Sequence, residues 1–243
     1  MHEQIGEHVI WNVPVLGAVH GDTIVMTWVV MTLSLAFFWF VARSYRVDHV
    51  NRTQTLFEAL INFLADLSLG TLGRAGEPFV PFFFSLFVYI FFLNQVGFIP
   101  LKLMGFAYGG APTADLNTTA AYALLVFVLI QFVAIRKSGI RFLSHLTKPF
   151  WILAPLNLIE ELARPVTLSL RLFFNIFVGE ILLFVISSII ISGVKIGPFD
   201  LSLAAAFVPI AIQFLNFFIG TVQAFVFTLL TIVYLSMAVA EDH

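Results

Sequence analysis

The sequence contains no cysteine, which excludes disulfide frameworks, thiolate metal sites and cysteine nucleophiles together. Charge is scarce too. Only 11% of residues are Asp, Glu, Lys or Arg, against about a quarter in soluble domains. The 12 basic residues do not outnumber the 14 acidic ones, so the surplus that nucleic-acid binding draws on is missing. His2, His8, His20, His49, His145 and His243 fall in termini or loops without metal-ligand spacing, and no metal or cofactor site is expected. Residues 1–23 hold Glu3, Glu7 and Asp22 but no Lys or Arg. The basic start of a cleaved signal is therefore absent, and the first apolar run is expected to stay as a membrane span.

Apolar residues dominate what is there. Of 243 residues, 60% are hydrophobic and 29 are Phe, with a mean hydropathy of +1.00. Crossing roughly 30 Å of hydrocarbon takes about 20 mostly apolar helical residues. After an outer N-terminal segment at 1–23, residues 24–42 (IVMTWVVMTLSLAFFWFVA) meet that need and are closed by Arg43 and Arg46. Residues 53–73 differ: Glu58, Asn62 and Asp66 recur at helical spacing among Leu56, Phe57, Leu60, Phe63, Leu64 and Leu67. That pattern predicts an amphipathic helix lying on the membrane surface. Residues 79–135 read as a two-span hairpin, 79–103 and 117–135, joined by the Gly/Pro-rich MGFAYGGAPTAD. Residues 136–164, broken by Arg136, Pro149 and Pro155, are expected to be interfacial. Pro165 suits the first turn of a helix, so a helix is predicted at 165–192 and a last one at 201–240. Both exceed a perpendicular span and should tilt. The fold class is an all-α polytopic membrane domain, with five crossings and one surface helix.

Orientation follows from the positive-inside rule. With the N-terminus outside, the inner loops receive Arg43, Arg46, Arg52, Arg74, Arg136, Lys137, Arg141 and Lys148, and the outer ones only Lys102 and Lys195. The C-terminus is then cytoplasmic.

Charges inside apolar helices need individual reasons, because a lone Arg at mid-bilayer costs about 3 kcal/mol even on insertion scales. In TLSLRLFFNIFVGEILLFVISS, Arg171 and Asn175 are four apart and share a face that Gly179 continues. Glu180 is nine residues past Arg171, about 900° of rotation, so the two charges point nearly opposite ways. In the last helix, Gln213, Asn216, Gly220 and Gln223 wind one continuous polar stripe. Two antiparallel helices so marked would bring Arg171 and Asn175 opposite Gln223. Interhelical glue is an adequate reading for Gln213 and Asn216, but not for an arginine that cannot shed its proton. A hairpin at 165–240 that conducts an ion is the resulting expectation. A secondary transporter is the alternative, though it predicts repeated helix sets and none is evident. An intramembrane hydrolase would need a nucleophile with a buried His, or HExxH, and neither occurs.

ARPVTLSLRLFFNIFVGE followed by GTVQAFVFTLLTIVYLSMA strongly resembles subunit a of F-type ATP synthases, with PLNLIEE, NQVGFIP and PTADLN in matching order. The resemblance implies a non-catalytic, proton-translocating stator subunit in the bacterial inner membrane. Its implied partners are the rotor c-ring, the peripheral-stalk b subunits and the rest of the complex. It further implies two half-channels and a long hairpin packed against the ring. The transported ion would be H⁺, with Na⁺ also open because the choice rests with the rotor's binding site. The family's essential arginine falls on Arg171 and its asparagine on Asn175. The acidic residue of the outer half-channel falls on Glu180, and the glutamine of the last helix on Gln223. Asn216 and Gln213 would support Glu180, Glu160 and Glu161 with Arg164 would line the inner mouth, and Asn94 and Asp115 would flank the outer one. Two departures stand out. Asn216 occupies a position where many bacterial relatives carry His, which leaves Glu180 without a histidine partner. Phe174 replaces the glycine of the usual LRLFGN, which alters local packing.

Overall fold

The computed structural model describes residues 10–13, 17–45, 51–97, 110–138, 154–191 and 202–239. The protein is almost entirely helical. Among the described residues, the long helices are α1 (Gly21–Ser44), α2 (Arg52–Leu72), α3 (Val80–Val96), α4 (Leu116–Ser138), α5 (Ala154–Ile191) and α6 (Ser202–Val239). A short antiparallel hairpin, β1 (Ile10–Val13) with β2 (Gly17–His20), precedes α1 and pairs Ile10 with His20. The Trp11 ring lies against Gly21 so closely that any side chain at 21 would meet the indole.

Five helical runs among the described residues are long and apolar enough to cross a bilayer: Gly21–Ser44, Arg52–Val96, Leu116–Arg136, Pro155–Gly179 and Ile210–Ala238. The second run, 45 residues long, would extend about 68 Å at 1.5 Å per residue, twice what one crossing needs. It is broken by an elbow. Gly73 leaves α2 at φ 61°, a backbone region that glycine enters freely, and a 3-10 turn spans Gly73–Phe79. Ser68 Oγ donates to Gly76 O at 3.1 Å and closes the bend. At the start of α2, the Asn51 side chain accepts from Arg52 N–H, and Glu58 joins Gln54 to Tyr45. That hydrogen bond to Glu58 raises the Tyr45 pKa above its ordinary value.

Two elements bear on the sequence expectation. α3 ends at Val96, where Gly97 comes into contact with Ala111, and the rest of the span expected to reach 103 lies outside the described residues. The correction is α5, which begins at Ala154 and carries Pro165 inside it instead of at its first turn. Residues 154–164 are thus continuous with the helix that carries Arg171. An internal proline forfeits one backbone hydrogen bond, a loss that membrane helices tolerate when neighbouring groups compensate. The carbonyl that loses its donor is that of Glu161; beside the break the Thr167 hydroxyl donates to two other carbonyls, Ala163 O at 2.9 Å and Arg164 O at 3.0 Å.

The buried apolar centre is shared by α1 (Met26, Val30), α3 (Phe83, Ile90, Leu93), α4 (Val126, Ile130), α5 (Leu168, Leu172) and α6 (Phe227, Ile232, Leu235). In α1 the inward positions Met26, Val30 and Ser34 recur every four residues, while Trp28, Leu35 and Trp39 point outward. With lipid as solvent, such outward residues are at home, and helix association rests on close packing and interhelical hydrogen bonds of about 1 kcal/mol each. α3 and α6 carry several. Asn94 Nδ2 donates to Gly220 O at 3.1 Å, and Gln95 Nε2 to Phe217 O at 3.1 Å and Thr221 Oγ1 at 3.3 Å.

α5 and α6, 38 residues each, would be about 57 Å long and cannot stand perpendicular within one hydrocarbon layer. Two contacts fix their relation. The Arg164 guanidinium lies over the Tyr234 ring at 5.4 Å, and Gly179 faces the Asn216 amide. One partner number rises as the other falls, so the helices are antiparallel.

Candidate ion path and its fixed charge

On α5, Thr167, Arg171, Phe174, Val178, Leu182 and Val185 recur every three or four residues and are exposed, while Leu168, Leu172, Ile176 and Gly179 are buried. On α6, Ile210, Phe214, Phe218 and Val222 face outward, and Ile212, Asn216, Gly220 and Gln223 face in. Arg171 therefore lies in a broad outward apolar face, not in the helix interface. Among the described residues no hydrogen bond or ion pair reaches its guanidinium.

The shared face expected for Arg171, Asn175 and Gly179 winds. A step of four residues advances about 400°, roughly 40° past a full turn. Two steps carry the line from exposed Arg171 through half-buried Asn175 to buried Gly179. Counting from the two helix contacts, Arg171 comes level with the stretch from Gln223 to Phe227, about one turn of α6. Asn175 Nδ2 and Gln223 Nε2 are both buried and without a hydrogen-bond partner. Around Arg171 the structure thus assembles hydrogen-bond donors that lack acceptors. A buried donor without a partner costs about 1–3 kcal/mol, so such groups persist where something else fills the place.

Asn216 is 7% exposed, with its amide packed on Gly179, and Gln213 is half-buried one turn away. Gly179 permits this approach, since a Cβ there would stand 3.0 Å from Asn216 Oδ1. Glu180 belongs to α5, but its side chain lies outside the described residues.

Toward the start of α5, Arg164 Nη1 pairs with Glu161 Oε2 at 3.0 Å, both largely shielded, while Glu160 is largely exposed and 4.0 Å from Arg164. Gln131 Nε2 donates to Glu161 Oε1 from α4. A cavity of about 10 Å³, room for roughly one water, is bounded by Glu161, Arg164, Pro165 and Tyr234. Gln131 and Tyr234 were not singled out from sequence. A glutamine inside an apolar span was the available signal for the first.

At the opposite end, Asp115 caps α4: Oδ1 accepts the Asn117 N–H at 2.9 Å. Its Oδ2 lies 2.9 Å from His20 Nδ1. Asn94 is fully buried, and its Oδ1 accepts from Thr113 Oγ1 at 3.3 Å while its Nδ2 holds Gly220. Both ends of that amide are engaged in packing, so Asn94 staples α3 to α6. Thr119 Oγ1 and Ser169 Oγ, both buried, meet at 3.3 Å between α4 and α5.

Fold and site together define a polytopic helical membrane protein with a fixed cation presented on an apolar face and amide donors grouped behind it. The family model for the ATP synthase A chain matches residues 24–236. ATP synthase subunit a of Desulforamulus reducens is 35% identical, in an alignment of 247 positions covering 96% of this chain and 88% of that one. The chain belongs to the ATP synthase subunit a family.

Proposed function

We propose that this subunit is the proton-translocating stator of a rotary ATP synthase in a bacterial inner membrane. Its N-terminus lies outside and its C-terminus in the cytoplasm. Two half-channels approach Arg171 from opposite sides, and the rotor c-ring runs along the outward face of α5 and α6. The b subunits and the remaining complex hold the stator in place, and the chemistry of ATP is done by other chains. α2, with its polar stripe, lies at the inner surface ahead of the elbow.

The observation that carries this reading is the placement of Arg171. A guanidinium exposed on an apolar face, with unpartnered Asn175 and Gln223 amide nitrogens nearby, lacks only an anion. Facing lipid alone it would cost about 3 kcal/mol or more. A rotor carboxylate passing this point satisfies it. Coulomb attraction favours the ionised carboxylate and lowers its pKa, so its proton leaves into the adjoining half-channel. The same charge repels cations and blocks a direct leak. Each carboxylate then reloads from the other half-channel and crosses the lipid face neutral. The electrical part of the gradient supplies about 2.3 kcal/mol per charge per 100 mV.

Glu180 exchanges protons in the outer half-channel, with Asn216 and Gln213 beside it and Asp115 at the entrance. Glu160 and Glu161 with Arg164 line the inner mouth. In the reconstituted complex, Arg171→Ala is expected to abolish gradient-driven ATP synthesis while the complex still assembles. Normal coupled synthesis by that variant refutes the assignment.

A further inference from the structure

We infer that His20 is a proton-relay residue of the outer half-channel, passing protons between outside water and Asp115. This rests on the stator reading above, with the β-hairpin end of the bundle facing outward.

His20 ends β2 and immediately precedes α1, and Asp115 immediately precedes α4. They are 95 positions apart in sequence, yet Nδ1 and Oδ2 stand 2.9 Å apart. Their exposures differ in a useful sense. The His20 side chain is 36% exposed and that of Asp115 only 9%, so the pair has one wet end and one shielded end. Both line a cleft of about 400 Å³ that Thr23, Thr27, Asn117 and Tyr122 also border, large enough for several waters. The titratable groups bordering it or near it among the described residues are Asp115 and Tyr122 on α4 and the buried Asp22 at the start of α1. No described Lys or Arg borders it, so an imidazolium there meets acidic or neutral neighbours.

The polar groups continue inward. One turn into α4, the buried Thr119 hydroxyl meets Ser169 Oγ at 3.3 Å, and Ser169 is two residues before Arg171 on α5. Imidazole is the side chain that gains and loses protons near neutral pH, whereas an isolated carboxylate there holds few. In the step proposed, a proton from cleft water binds Nε2 while the Nδ1 proton passes to Asp115 Oδ2. This leaves a neutral imidazole of the other tautomer and a neutral carboxyl. The carboxyl gives its proton inward; the ring then turns out into the cleft, where water protonates Nδ1 and takes the Nε2 proton, and it swings back in the first tautomer. Run backwards, the same steps release protons outside.

The test uses the assembled complex in vesicles, with passive proton flux driven by a potassium diffusion potential and the amount of assembled subunit measured alongside. His20→Gln keeps an N–H donor toward Asp115 but cannot titrate, and His20→Ala removes both. Both are expected to lose flux roughly tenfold, less than the 10²–10⁴ typical of a lost acid–base group because cleft water partly substitutes. Imidazole added on the outer side should restore His20→Ala while leaving the wild type unchanged, which a merely structural tie would not show. Wild-type flux in His20→Gln, or no rescue by imidazole, overturns the relay. So does failure of both variants to assemble, which would assign His20 to folding. Arg171→Ala in the same vesicles separates the two ideas: if it stays coupled, the stator reading fails. If it uncouples while His20→Gln is normal, only the relay fails.

Discussion

The close approach of Gly179 to Asn216 sets a narrow tolerance for size at the centre of the α5–α6 interface. A Cβ at 179 would stand 3.0 Å from Oδ1, 3.3 Å from Cγ and 3.4 Å from Nδ2 of Asn216. Alanine asks the amide to retreat by a few tenths of an ångström, and a helix gains about 0.8–1 kcal/mol when Ala replaces Gly. Gly179→Ala is therefore expected to be close to neutral in both assembly and flux. Valine places two further methyl groups beyond that Cβ, and overpacking of this kind costs about 1–3 kcal/mol. Either the helices part or the Asn216 amide is expelled, and both disturb the region beside Glu180. ATP-driven proton pumping into inverted vesicles should fall severalfold for Gly179→Val, and the subunit should leave the complex at a lower temperature. The double variant Gly179→Val with Asn216→Ala should recover thermal retention, with a coupling energy of about 0.5–3 kcal/mol for residues in contact. Retention is the quantity to compare, because Asn216 is itself assigned to the proton path. Full activity of Gly179→Val, or no thermal relief in the double variant, would refute the packing argument.

Asn94→Ala removes two buried hydrogen bonds, to Gly220 O and from Thr113 Oγ1, each worth about 0.6–1.7 kcal/mol in a membrane protein. Thermal release of the subunit should therefore occur earlier, while complexes that do assemble pump at the wild-type rate. A collapse of rate in assembled complexes would return Asn94 to the ion path. Glu180→Gln should slow proton flux strongly, and unchanged flux at neutral pH would count against its role as the outer exchange group.

The long apolar helices were legible in sequence because they depend on periodicity and composition, which a helix converts directly into faces. The stripe through Asn216, Gly220 and Gln223 falls on one buried side of α6 for that reason. Arg171 was legible as an expensive charge, but its direction was not. The 40° drift per four residues separates it from Gly179, and only the packing of α5 decides which part of the line faces out. Pro165 misled because a first-turn proline is a preference and not a requirement, and a membrane helix tolerates a proline in its interior. Asn94 was read as a candidate for water, yet its partner is a backbone carbonyl 126 positions away that no pattern announces. His20 with Asp115 is invisible for the same reason, since their meeting depends on where two helices begin.

On the stator reading proposed above, the donors around Arg171 bear on how a site reached by two water files can remain insulating. Proton hopping along water requires each molecule to accept a hydrogen bond from one neighbour and donate to the next. A guanidinium and the nearby amide nitrogens of Asn175 and Gln223 can only donate. Water beside them must turn its oxygen inward, whichever side it arrives from. Two water files that meet on these donors stand back to back, with opposed polarity, and no sequence of hops joins them across the donors. On that reading the orientation of hydrogen bonds insulates where a dry plug would otherwise be needed, and the group suited to meet these donors is one that accepts, namely a carboxylate.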